Sequence, residues 1–273
     1  MVGITKIGTT IKTFSFKPIQ KFAEKSKIAE INPQALGYVH SNGNISFTDA
    51  TTAEEYAKKR ILKALNDQKP FERGLFQKGN TILGEVDGTV NKIDINNVTC
   101  IQQGSRLCGD KISNDGVRFL HGHPDVYGYG QTTPISQVAN GFNKGGDFGE
   151  LHRLGLDEIV AYNRLGEFSS IKRLKDIDSV TAYNQETCDM ANFALSFLPK
   201  NIQERAKIIN KEFEHGNFNT GLLEESTKID LEADKAMNNA IKFPNFPKLV
   251  HNFWIKDAKK YGVEYNTNFS NVK

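Results

Sequence analysis

Cysteine, methionine and tryptophan are scarce in this chain: three, three and one among 273 residues. Three is an odd number of cysteines, and Cys100, Cys108 and Cys188 include no Cys-x-x-Cys pair. They therefore read as reduced thiols rather than as a disulfide framework. Long apolar runs are missing too. Stretches such as Ile159-Val160-Ala161 fall far short of the roughly 20 residues that a membrane span needs. Met1-Val2-Gly3-Ile4-Thr5-Lys6 has no apolar core of a secretory signal, and the cytosol is the expected compartment. Charge of one sign is also lacking, with 35 Lys+Arg against 32 Asp+Glu for a net +3. That balance, without a long basic block, gives no electrostatic footprint for nucleic acid. What remains, 38% hydrophobic and 25% charged residues, is a folding composition for one or two domains able to bury a core without staples.

The first fifty residues mix short strand-like runs (Ile11–Phe16) with turn signals at Asn32-Pro33 and Ser41–Asn44, and are expected to form an N-terminal extension, with a hairpin in it. A helix follows. Thr52 and Glu55 make a capping-box pattern, Ala57, Ile61, Ala64 and Leu65 share one face, and Pro70 stops it. Gly74–Gln77, Thr81–Val86 and Val90–Ile95 read as a three-stranded meander, and Val117–Leu120 as a strand running into His121-Gly122-His123-Pro124. Residues 124–146 are rich in tyrosine and glycine, a long loop suited to covering a substrate. Asp147 opens a short helix, and Glu158–Tyr162 with Glu167–Ile171 forms a hairpin. From about residue 180 the period becomes helical, with stripes such as Met190/Phe193/Ala194/Phe197 and Ile229/Ala233/Met237 marking core positions. The expected fold class is α/β: an N-terminal extension (1–50), an α/β domain (51–175) and a helical C-terminal region (176–273).

The sharpest chemical feature is His121-Gly122-His123. Side chains at i and i+2 on a strand point the same way, so both imidazoles can meet one metal ion. A hydrolytic zinc site needs a third protein ligand and a carboxylate to take a proton from water. Asp147, pinned at a helix start, is the best third ligand; Asp125 follows Pro124 and is expected to point away. For the base, Glu72 lies where the first helix enters the first strand, and Glu85 on the second strand competes. The cysteines read as structural, and Gly128-Tyr129-Gly130 lacks the strand–helix context of a phosphate-binding loop.

A helix, then Glu72 followed by Gly79, then His-x-His-Pro at 121–124, then an acidic residue opening a helix before a hydrophobic strand, resembles the JAMM/MPN metalloprotease family over about residues 50–175. The resemblance implies a three-layer α/β fold with a curved, mostly antiparallel sheet. It also implies zinc held by His121, His123 and Asp147, with Glu72 as the base. Family members write the last ligand as Ser-x-x-Asp, and this chain departs from that pattern. Taking Ser136 as the serine puts Ala139 at the ligand position; taking Asp147 as the ligand puts Lys144 at the serine position. Spacing favours Asp147, because a helix begun at Ser136 would run through Gly141, Gly145 and Gly146, each costing about 1 kcal/mol relative to alanine. Ser136 is then left as a donor to the developing oxyanion.

The function this resemblance implies is zinc-dependent hydrolysis of a peptide or isopeptide bond, with a protein or peptide substrate, ubiquitin-like proteins among them, and neither nucleic acid nor membrane as partner. The alternatives are an inactive JAMM-like scaffold or binding module, and an effector or toxin built on the fold and exported without a cleavable signal.

Overall fold

A computed structural model describes residues 37–90, 92–96, 98–124, 146–174, 177–240, 242–243 and 245–270. The chain is α/β, built on an open eight-stranded sheet in the order β1-β2-β4-β3-β5-β6-β7-β8. The strands are β1 (Tyr38–Val39), β2 (Ile45–Ser46), β3 (Arg73–Lys78), β4 (Thr81–Asp87), β5 (Asn114–Gly122), β6 (Leu156–Tyr162), β7 (Phe168–Arg173) and β8 (Val263–Thr267). Every neighbouring pair is antiparallel except β5 and β6, which run parallel. Six α-helices are described: α1 (Ala50–Leu65), α2 (Asp147–Leu154), α3 (Ser179–Leu195), α4 (Lys200–Glu214), α5 (Thr220–Ala240) and α6 (Phe246–Asp257). Among the described residues no helix is long and apolar enough to cross a membrane. All three cysteines are free thiols.

Alternation along the strands divides the core in two. Leu75, Leu120, Val160 and Tyr162 face α1, whose Ala53, Ala57, Ile61 and Leu65 cover them. The residues between them, Phe76, Phe119, Ile159 and Ala161, face the other way and pack with α2, α3, α5 and α6 through Phe148, Leu151, Met190, Met237 and Trp254. A sheet buried on both faces by helices is a three-layer arrangement, and its central strands carry apolar residues toward both layers. α4 stands farther out, holding α5 through Ala206, Ile209 and Ile229.

Several expectations are met. The hairpin at 158–171 forms with Tyr162 opposite Phe168, and the stripes with Met190, Ile209 and Met237 are buried. Others are corrected. Val90–Ile95 does not form a third meander strand. Instead the chain doubles back, with the Thr89 amide donating to the Lys92 carbonyl at 2.8 Å and Gly88 so close to that carbonyl that a Cβ would meet it at 2.2 Å. The first helix is capped by Asp49, which accepts from the Thr52 amide at 2.8 Å, and not by a Thr52/Glu55 box. It ends at Leu65, before Pro70 is reached, with the Asn66 side chain on the Leu62 carbonyl. β8 was not foreseen: it adds to the sheet edge beside β7. The eight strands thus come from all three expected regions. The strand-like run at 11–16, and the glycine–tyrosine stretch read as a loop, lie outside the described residues.

Candidate metal centre

The one parallel strand pair creates the site. To leave β5 and enter β6 in the same direction, the chain must cross back over the sheet, and α2 lies in that crossover. Its far end is fastened to the start of β5, where Asn114 Nδ2 donates to the Leu154 carbonyl at 2.7 Å. Arg153 donates to the Gly104 carbonyl at 2.9 Å, and Phe148, Leu151 and Leu154 are fully buried beneath it. The helix start is thereby directed to the carboxyl end of β5, where open α/β sheets commonly bind ligands.

Residues at that end of β5 alternate cleanly. Gly122 faces α1, where a Cβ would meet Ile61 and Leu65 at 2.8–2.9 Å; only glycine fits. His121 and His123 therefore both face α2. The His121 ring stacks on Phe119 (centroids 5.1 Å apart, planes 10° apart), and Phe119 on Phe76 at 4.6 Å. Phe119 in turn lies over Gly74, the residue paired with His121, where a Cβ would be 2.4 Å from the ring. This stack fixes the imidazole plane before any ligand arrives.

Asp147 is the first residue of α2 and not its cap; Gly146 occupies the cap position without a side-chain bond. The Asp147 carboxylate is spent on the histidines instead. Oδ1 lies 3.0 Å from His121 Nε2 and Oδ2 3.5 Å from His123 Nε2, while the two Nε2 atoms are 3.0 Å apart. Burial opposes ionisation of Asp147, but the two imidazoles, by charge and by hydrogen bonding, hold its carboxyl well below the usual carboxylate range.

These three side chains form a group able to hold a metal ion. Ligand atoms around a tetrahedral ion with bonds of about 2.0–2.1 Å stand about 3.3–3.4 Å apart, close to the separations seen. Two imidazoles and one carboxylate also leave a fourth position open, the donor set of a hydrolytic zinc site. His121 is 3% exposed and turns its Nε2 to Asp147 and His123, while its Nδ1 has no hydrogen-bond partner among the described residues.

Register separates the two glutamates. Gly74 is paired with His121 and Phe76 with Phe119, so Glu72, two residues before Gly74, has the parity of the histidine face. Its backbone is held by Thr89 and Gly88 at 2.7 and 2.8 Å. Its carboxyl is pushed up by burial, opposed by His123 and His121 and reinforced by Asp147. Glu85 is paired with Leu75 and so belongs to the α1 face. There Arg60 and Arg73 grip it at 2.7 and 3.0 Å.

The fold thus brings together His121, His123 and Asp147, leaves Glu72 on the same face within their electrostatic influence, and sends Glu85 to the other side of the sheet. Ser136, Ala139, Lys144 and Asp125 lie outside the described residues. Sequence reasoning passed over the Phe76–Phe119–His121 stack, although the alternation of Val117, Phe119 and His121 carried its signal. His152, read as a packed or surface histidine, is fully buried against Phe148, with neither ring nitrogen hydrogen-bonded among the described residues. No family model, no curated protein and no solved structure matches this chain.

Proposed function

We propose that this chain is a zinc-dependent amide hydrolase of JAMM/MPN type, acting on a peptide or isopeptide bond. The reading is carried by one observation: two imidazoles from a strand end and a carboxylate from a crossover helix converge, with a second, half-buried carboxylate under their electrostatic influence.

His121, His123 and Asp147 would hold the ion through Nε2, Nε2 and a carboxylate oxygen. Zinc bound there would supply Lewis acidity toward a scissile carbonyl and a water acidic enough to ionise near neutral pH. Glu72 does the proton work. Its carboxyl, raised by burial, is better matched to accepting a proton from the attacking water than an ordinary surface glutamate. It then returns that proton to the leaving amine, so that the carboxylate is regenerated. Phe119 holds the His121 ring in plane, and the Arg-bound Glu85 takes no part.

Metal analysis of the purified full chain should find about one tightly held zinc ion per chain, and ubiquitin-linked or peptide amides should be cleaved. Replacing Glu72 by glutamine keeps the zinc and lowers turnover by about 10²–10⁴-fold; His123→Ala loses zinc and turnover together. Normal cleavage by the Glu72→Gln protein would remove the base assignment. The departure from Ser-x-x-Asp supports a second reading, an inactive scaffold on the same frame, and a chain free of metal and of cleavage activity would decide for it.

A further inference from the structure

On the opposite face of the sheet from the metal centre, a cavity of about 370 Å³ opens beside the start of α1 and over β6, β7 and β8. Its size is within the roughly 300–1,000 Å³ of small-molecule sites. The floor is a straight cross-strand row, Val160–Ser170–Asn266. Phe168 stands beside it, and Glu54, Arg118 and Glu158 form the end nearest α1.

The charged end is closed on itself. Arg118 donates from Nε to Glu158 and from Nη1 to Glu54, both at 2.6 Å, and Tyr162 donates to the other oxygen of Glu54 at 3.0 Å. Two carboxylates against one guanidinium oppose an anion, while the half-buried arginine between them opposes a cation. What stays available is uncharged hydrogen bonding. Among the described residues the Ser170 hydroxyl has no partner although Ser170 is only 2% exposed, and the Asn266 carboxamide and Arg118 Nη2 have none either. Ser170 Oγ is not sealed into the core but opens onto the cavity from β7, so it is available to a ligand there as donor and acceptor.

We infer that this cavity is a binding site for a neutral polyhydroxylated ring, a monosaccharide unit. Vicinal hydroxyls suit it because each is donor and acceptor at once, and so can pair with Asn266, Ser170, Arg118 Nη2 and a Glu158 oxygen. The apolar face of such a ring rests on Val160 and Phe168. None of these residues takes part in the metal centre, so the inference stands or falls apart from the hydrolase reading.

The test is a titration of the full chain with neutral monosaccharides (glucose, galactose, mannose, xylose and N-acetylglucosamine), followed by saturation-transfer NMR and calorimetry. At least one should bind saturably, and Asn266→Ala, at an exposed position that leaves the fold alone, should weaken it about five- to tenfold. Ser170→Ala should do the same. Absence of saturable binding by every sugar overturns the proposal. So does sugar binding that both variants leave unchanged, or preferential occupation of the cavity by inorganic phosphate or a simple alkylamine.

Discussion

Gly122 shows how much a single residue decides. The His-x-His spacing needs a middle residue whose side chain points away from the metal face, and at this strand end that direction is filled by Ile61 and Leu65 of α1. Gly122→Ala should therefore push α1 and β5 apart, costing about 1–3 kcal/mol of stability by overpacking, measurable in a denaturant titration. It should also weaken zinc binding, because the two imidazoles shift with the strand. Gly74 is the same constraint seen from the neighbouring strand, with the Phe119 ring where its Cβ would be. For the two glutamates the contrast is electrostatic. Glu85→Gln breaks contacts with Arg60 and Arg73 on the α1 face, so a modest loss of stability with cleavage intact is expected, against the loss of turnover expected for Glu72→Gln.

At the scale of elements, α2 joins Asp147, the candidate metal ligand, to a buried histidine. Burial, aided by the nearby positive charges of Arg173 and Arg106, lowers the His152 imidazole to about 4; the polar backbone of Tyr261 and the charge of Asp178 oppose this. The unfolded chain, with an ordinary histidine near 6.5, binds the proton more readily than the folded one. Stability is therefore full above about pH 6.5 and is lost as pH falls toward 4, by up to about 3 kcal/mol. Denaturation midpoints measured between pH 7 and 4 should fall accordingly, and His152→Leu should flatten this part of the profile. An unchanged slope in that variant would assign the acid sensitivity to other groups. The Thr52/Glu55 capping-box pattern put the start of α1 three residues too late; Asp49 is the cap because its extended backbone presents Oδ1 to the Thr52 amide.

For the whole molecule, the helical C-terminal region is part of the same core that carries the candidate metal centre. Trp254, the single tryptophan, is fully buried between Phe148 of α2 and Tyr261, with centroids 5.6 and 6.1 Å away. β8, immediately after, completes the sheet beside β7. Trp254→Ala should cost about 3–5 kcal/mol, with a matching drop in the thermal midpoint and looser zinc retention. In the native chain, tryptophan fluorescence and far-ultraviolet circular dichroism should report one coincident transition; separate midpoints would mean that the C-terminal helices unfold on their own.

Much of this protein was readable from order and period alone. The i, i+2 histidines fall on one side of a strand whatever surrounds them, because strand periodicity is local. The helical stripes at Met190, Ile209 and Met237 and the 158–171 hairpin are legible for the same reason. Choices between equals were not legible. Glu72 and Glu85 look alike in sequence, and only the register of β3 against β4 and β5 sends one to the histidine face and the other to the arginines. Asp147 meets His121 from 26 positions away because β5 and β6 are parallel and α2 must return between them. β8 escaped notice because a five-residue strand with alternating burial acquires its meaning only from the edge it joins. Local covalent geometry repeats along a chain and can be read there; pairing between distant segments depends on which surfaces must be buried together, and only the folded structure decides that.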